Sequence, residues 1–562
     1  MRRNVRVLMR RNVRMQMRRN AGILAVVALL VLAGCSGGVG GFVGGTEWGF
    51  ENATESAGLD YEAQASGVGN GDSGVYVTDY DNDGWPDVLA IGGEEPALFE
   101  NTEGSFERSG DLPDVEMTVQ GAHFFDADDD GREDLLLLPR NGEAVFLRNT
   151  GDGFERADNG LGVEMGVAVG ASTADYDGDG DLDVFVAQYG DWAETTPEGF
   201  LHPEGGYVAE DNGAPNLLFE NTEDGFVNVT GEAGIAGAHW SLATSFVDLT
   251  GDGRPDLHVA NDFNNDTLYR NQGDGTFERV VMGAETSRNG MSSEIGDFDG
   301  DARADVFVTN IYFPVDEANI SAEKRARLQR YFAFVLRSKR IEGNNLMLNR
   351  DGGEFEFAGG SYGVKEGGWG WAAVHADLDN DADRDLFHAT QDVVRIDDED
   401  PHYTYPMVFE RTGGNFTSRD ASELGFEETN GRGVGQLDFD RDGDVDLVVS
   451  TYDGAFRLYE NNADELDGRH SLQVSVLDSG GSTAIGAEVS VTAGETSQFG
   501  VVNAKSDYQS QDTRVLHFGL GESEEVGKIE VVWPDGTERT FDSIEADQRL
   551  RVFPNGTMQT VG

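Results

Sequence analysis

The chain has 562 residues, with 104 Asp and Glu against 41 Lys and Arg, a formal charge of −63, 76 Gly and a single Cys. One cysteine excludes a disulfide framework or a cysteine-built zinc site, and the acidity argues against nucleic acid as a partner, because that binding needs clustered Lys and Arg. With 38% hydrophobic and 10% aromatic residues, the length suffices for roughly two to four domains with real cores, and a disordered acidic tail is excluded.

Eight arginines precede residue 35, where no acid occurs, so the remainder carries about −71. Abundant carboxylates with five Lys in the whole chain fit adaptation to molar salt, where screening shortens to roughly 3 Å, or calcium binding in ordinary salt; the two are compatible. The first 20 residues are basic and repeat MRRN three times, and AGILAVVALLVLA then supplies 13 apolar residues, too few for a comfortable membrane span and suited to a signal peptide. Leu32-Ala33-Gly34-Cys35 reads as a lipobox, which predicts a lipoprotein signal over 1–34, lipidation of Cys35 and a Gly-rich tether over 35–45. An ordinary signal peptide with an incidental Cys is the alternative. The expected location is the outer face of a membrane at the cell surface, with the bilayer reached only through the lipid anchor.

A nine-residue pattern, D-x-D-x-D-G-x-x-D, then recurs seven times, starting at residues 79, 126, 175, 248, 297, 377 and 438. Six copies have all four Asp, more than acidity alone produces. Apolar, β-branched residues precede each loop and an apolar run follows it, so the loop joins two strands of a hairpin. A third strand ends in L-[FY]-x-N or a variant, as in Leu98-Phe99-Glu100-Asn101 and Leu458-Tyr459-Glu460-Asn461, and a fourth opens with Phe106, Phe154, Phe226, Phe277, Phe355 or Phe416. The seventh copy lacks its Phe-led strand, whereas Phe50-Glu51-Asn52-Ala53-Thr54 matches Phe226-Val227-Asn228-Val229-Thr230. The chain is therefore expected to be all-β, with a seven-bladed β-propeller of four-stranded blades over 46–463, its ring closed by the N-terminal strand so that no sheet edge is left exposed. An open solenoid is the structural alternative. Residues 188–215 read as a loop insertion, and 321–340 as a helical one with Ser321 as N-cap.

Each loop offers alternate carboxylates and a turn that bring hard oxygen ligands around one cation, which favours Ca²⁺ over Mg²⁺. The predicted ligands are Asp79, Asp81, Asp83 and Asp87; Asp126, Asp128, Asp130 and Asp134; Asp175, Asp177, Asp179 and Asp183; and Asp438, Asp440, Asp442 and Asp446. Three copies vary: Asp248, Thr250, Asp252 and Asp256 trade a carboxylate for a hydroxyl. Asp297, Asp299, Asp301 and Asp305, and likewise Asp377, Asp379, Asp381 and Asp385, carry Ala302 or Ala382 where Gly belongs, so their turn is expected to be strained or to open differently. Up to seven Ca²⁺ ions are expected, as structural ions that remove repulsion and tie strands together. A solvated acidic turn is the plain alternative for each.

These units resemble FG-GAP/VCBS repeats, the integrin-α-like propeller family. Ala260-Asn261-Asp262-Phe263 with Leu268-Tyr269-Arg270-Asn271 is similar to the cartilage acidic protein branch. Residues 465–556 resemble the ASPIC/UnbV domain through Ile485-Gly486-Ala487, Tyr508-Gln509-Ser510-Gln511, Phe518-Gly519-Leu520-Gly521 and Val532-Trp533-Pro534-Asp535-Gly536. Independently of the family, alternating apolar residues there predict a small β-sandwich packed against or tethered to the last blade. The resemblance implies extracellular binding or adhesion, with a protein or glycan as partner, and a monomer is expected.

An enzyme acting on polysaccharide through the central funnel is the rival, and a structural envelope component a third reading. No catalytic residue is expected: the nine His are scattered, no nucleophile motif occurs, and His123 and His375, at different offsets from their loops, read as packing residues. Trp369 and Trp371 read as core. The sequons at Asn52, Asn228, Asn265, Asn319, Asn415 and Asn555 are candidate glycan acceptors.

Overall fold

The structure, a computed structural model, describes residues 48–64, 73–190, 213–235, 237–282, 287–313, 321–326, 329, 342–350, 353–392, 403–466 and 468–561. The leader, Cys35, the tether and most of the helix expected over 321–340 lie outside these residues. Of that helix, 322–326 is helical and the Ser321 hydroxyl accepts from the Lys324 amide at 3.1 Å. The insertion expected from 188 starts later, because the strand Asp183–Gly190 runs through its first residues.

The fold is all-β. Seven groups of four antiparallel strands follow one another, and all seven are built alike. Unit 1 comprises Gly74–Thr78, Asp87–Ile91, Ala97–Thr102 and Ser105–Arg108. Its first two strands are buried at every residue, whereas the fourth buries only Phe106, which explains why inner strands read as continuous apolar runs and outer ones show little beyond a leading Phe. That Phe sits opposite the residue ending the third strand: Phe106 faces Asn101, Phe154 faces Asn149 and Phe277 faces Asn271. In unit 7 the fourth place is taken by Phe50–Asn52, where Phe50 pairs with Asn461 and Asn52 with Tyr459. Units 2 and 3 additionally merge into one eight-stranded sheet through Asp134–Glu143 and Glu164–Ala174.

The Asn at the end of the third strand joins neighbouring units. Asn149 Nδ2 donates to Tyr80 O at 2.7 Å, Asn221 to Ala127 O at 3.1 Å, Asn271 to Tyr176 O at 2.7 Å, Asn349 to Leu249 O at 2.9 Å and Asn461 to Leu378 O at 2.8 Å. Asn101 of unit 1 makes the same bond to Phe439 O of unit 7 at 2.8 Å. Each acceptor is the second residue of an aspartate loop in the unit before, and burying that carbonyl without a donor would be costly. Unit 6 has Arg411 instead, whose guanidinium lies 6.0 Å from the centre of the Phe416 ring.

Beyond the repeats, two four-stranded sheets enclose a separate apolar core containing Leu472, Val489, Phe518, Ile529 and Leu550. One holds His470–Val476, Leu516–Gly521, Gln548–Val552 and Met558–Val561, the other Glu488–Ala493, Thr496–Val501, Glu525–Val532 and Glu538–Glu545. This domain is not confined to the last unit. Its segment 502–514 reaches the first strand, or the residue just before it, in every unit. Val75 N donates to Gln509 O, Phe124 N to Gln511 Oε1, Thr173 N to Ala504 O and Thr244 N to Ser506 O. Ser293 N and Ala373 N donate to the two carboxylate oxygens of Asp507, and Gln436 N to Asp512 Oδ1. The glycines of those first strands make room: a Cβ on Gly170 would lie 2.3 Å from Ser506 Oγ, and one on Gly74 2.6 Å from Gln509 O. The place where the first strands converge is thus filled by the chain itself.

Candidate metal site

The seven aspartate loops share one hydrogen-bond frame. The ninth residue is its anchor: one oxygen accepts the amide of the loop's second residue and the other the amide of the residue ending the third strand. For Asp87 these are Tyr80 N at 3.2 Å and Asn101 N at 2.8 Å. The same pair is made by Asp134, Asp183, Asp256, Asp305, Asp385 and Asp446. The ninth Asp therefore fixes the loop to its own four-stranded unit, whatever else it holds. In six loops, all but the one starting at 438, the first Asp accepts the sixth residue's amide, as Asp79 does from Gly84 at 3.1 Å and Asp175 from Gly180 at 3.1 Å. The fifth accepts the seventh's, as Asp83 does from Trp85 at 2.8 Å.

Two residues per loop are left-handed. At the sixth, Gly84, Gly131, Gly180, Gly253 and Gly443 have positive φ, and so do Ala302 (61°) and Ala382 (77°). The alanine loops therefore keep the turn rather than opening differently, and they carry its strain. The fourth residue is also left-handed, at Asn82, Asp129, Gly178, Gly251, Gly300, Asn380 and Arg441. Sequence reasoning overlooked it, although Asn, Asp and Gly at six of these seven places were the signal.

The frame brings carboxylates together. Ligand atoms lie within 4.8 Å of one another in Asp79–Asp81–Asp87, Asp126–Asp128–Asp130, Asp175–Asp177–Asp183, Asp297–Asp299–Asp305 and Asp377–Asp379–Asp385. In the loop starting at 248, the Asp248 carboxylate is engaged by the amides of Thr250, Gly251, Asp252 and Gly253, and the Thr250 hydroxyl stands 3.5 Å from it. In the loop starting at 438, Asp438 accepts from Gln473 Nε2, and Asp444, outside the predicted set, is fully buried beside it.

Burial and then mutual repulsion push the anchoring carboxylates toward the protonated form, Asp87 to about 9, Asp183 to about 8 and Asp134 and Asp305 to about 7. Basic side chains offset part of this. Arg132, Arg254 and Arg303 each pair with the fifth Asp of their own loop, and Arg350 lies 2.5 Å from Asp299. Among the described residues, no Lys or Arg lies within ion-pair distance of the loop Asp175 to Asp183. Oxygen-only donors converging without a counter-charge fit a hard divalent cation such as Ca²⁺, and offer nothing to a soft one.

The terminal domain touches these loops directly. Ser482 Oγ lies 2.7 Å from Asp126 Oδ2 and 2.9 Å from Asp129 Oδ1, His517 Nε2 is 2.7 Å from Asn380 Oδ1, and Arg469 is 3.4 Å from Asp379. None of these residues carried a sequence signal for such a role. His123 and His375 are both buried; His375 stacks on Phe298 at 3.8 Å.

A family model described as FG-GAP-like repeat matches residues 79–137, 126–186 and 248–308, and one described as ASPIC and UnbV matches 478–558. Cartilage acidic protein 1 of Mus musculus is 24% identical over 517 residues, 85% of this chain and 73% of the relative. The Homo sapiens protein is likewise 24% identical over 85% of this chain, and the Xenopus tropicalis protein 25% identical over 82%. Among solved structures, an Agrocybe aegerita lectin recognising non-reducing terminal N-acetylglucosamine aligns with 67% of this chain and 88% of that one at TM-score 0.40 and 15% identity. BBS1N in complex with ARL6DN aligns with 73% and 96% at 0.37 and 10%. The chain carries FG-GAP-like repeats followed by an ASPIC/UnbV domain and is homologous to cartilage acidic protein 1 over most of its length.

Proposed function

We propose that this is a calcium-stabilised, lipid-anchored surface protein whose repeats form a closed seven-bladed propeller and recognise an extracellular protein or glycan. The observation that carries the reading is the pairing of Phe50–Asn52 with Arg457–Asn461, together with the Asn101 bond to Phe439, because both join the first unit's side of the chain to the last. A ring stapled in this way presents a rigid surface on which loops can recognise a partner. Calcium is supported by the clustered carboxylates, only partly offset by arginines, and surface display by the lipobox at Cys35 and by homology to an extracellular-type repeat protein. Among the described residues no helix is long and apolar enough to cross a membrane.

An enzyme working through the central funnel would have to displace residues 502–514, and no observation favours it. The test joins two measurements on the full chain in its own cells. Palmitate labelling that is lost in Cys35→Ser, and capture of a glycan or surface protein in calcium that chelator abolishes, are the expected results. Labelling unchanged in that variant, or capture indifferent to calcium, would overturn the reading.

A further inference from the structure

The segment filling the centre carries a charged group unlike the rim loops. Lys505 is buried, and its ammonium lies 2.9 Å from Asp512 Oδ2 and 3.5 Å from Asp507 Oδ2, with the Glu294 carboxylate in direct contact. Glu294 belongs to unit 5, whereas the two Asp belong to the terminal domain. Backbone amides of the repeats hold the two Asp as well: Asp507 Oδ1 accepts from Ser293 N and Oδ2 from Ala373 N, and Asp512 Oδ1 accepts from Gln436 N. Three carboxylates from two domains thus converge on one cation, and that cation is covalently part of the chain.

We propose that Glu294, Asp507 and Asp512 form a cation site for which the resident ligand is the Lys505 ammonium, and that this internal ion keeps the terminal domain seated in the ring when divalent ions are withdrawn. A metal site empties by mass action when a chelator removes free ion; a tethered ammonium cannot be diluted away. Vacated by truncation, the site should accept a small primary ammonium, which matches both the charge and the three N–H donors of Lys. Burial, and then the neighbouring Asp507 and Asp512, drive the Glu294 carboxyl well above its usual range, and the Lys505 ammonium opposes that shift.

The full chain carrying Lys505→Ala tests this in chelator at fixed ionic strength. The melting temperature is expected to fall by roughly 5 °C, since breaking a buried ion pair strands charge. Protease should then cut within 503–514, and ethylammonium should restore both properties while tetramethylammonium at equal concentration should not. Wild-type protein in the same chelator should keep that segment uncut. A shift below about 1 °C, equal rescue by both amines, or cutting of the wild-type segment in chelator would overturn the proposal. If Lys505→Ala does not accumulate in soluble form, Lys505→Met and Asp512→Asn decide: in chelator both should open 503–514 to protease, and wild-type protection in either would count against the site.

Discussion

The loops at 175–183 and 377–385 carry the same aspartates and the same backbone frame in opposite surroundings. In the first, residues 177–181 are exposed, both left-handed positions are glycine, and no basic side chain among the described residues pairs with the four Asp. In the second, Asp377, Asp379 and Asp385 are buried, Ala382 occupies a left-handed position, and the terminal domain lies directly over the carboxylates. Gly519 comes so close that a Cβ there would stand 2.0 Å from Asp377 Oδ2, and the Gly521 amide donates to Asn380 O at 2.9 Å. The nine-residue pattern therefore sets geometry, while what covers the loop sets its access to solvent and how much a mutation costs.

The comparison breaks most sharply on ion removal. Chelation at constant ionic strength should lower the melting temperature by more than about 10 °C, since several sites lose their ligand together. The residual stability should then rise as pH falls from about 9 toward 5. In the ion-free fold Asp87, Asp183, Asp134 and Asp305 bind protons more tightly than in the unfolded chain, so the folded state gains as they protonate. Calcium should remove this rise by holding the carboxylates ionised. A flat melting temperature across both conditions would mean the clusters are solvated turns.

Next in size, Gly519→Ala should cost about 3 kcal/mol by forcing the two domains apart over a buried carboxylate. Gly178→Ala, with nothing within 4 Å but a φ of 83°, should cost only about 1 kcal/mol. Equal denaturant midpoints for the two would erase the distinction between covered and open loops. Asn461→Ala should cost about 2 kcal/mol through the orphaned Leu378 carbonyl, measurable in the same titrations. The smallest effect runs the other way: Ala382→Gly should leave the covered loop about 0.5–1 kcal/mol more stable by relieving a left-handed Cβ.

Much of this was legible in the residues. Spacing of the Asp loops, the Phe-led fourth strands and the displaced strand at Phe50 all follow from side-chain period and repeat alignment. The Asn at the end of six of the seven third strands was visible as a letter but not as a staple, because its acceptor is a backbone carbonyl of another unit and carbonyls have no sequence signature. Residues 502–514 were read as part of a small sandwich, since a polar, Gly-flanked stretch looks like any surface loop; only the glycines of the facing strands, Gly74, Gly170 and Gly433, hinted that another backbone approaches. Charge alone makes the ninth Asp look like a ligand, and its two backbone bonds appear only once the third strand is in place.

The meeting of Phe50–Asn52 with Arg457–Asn461 also constrains how the molecule comes into being. Gly49 and Asn462, hydrogen-bonded in the finished protein, are 413 residues apart, so at about 5–20 residues per second the opening strand waits roughly 20–80 s for its mate to be synthesised. Through that interval the nascent chain bears an unmated edge at each extremity, and a prematurely terminated product keeps one for good, ready to zip onto its neighbours. Productive folding therefore depends on the chain being kept from premature assembly until its last repeat has arrived.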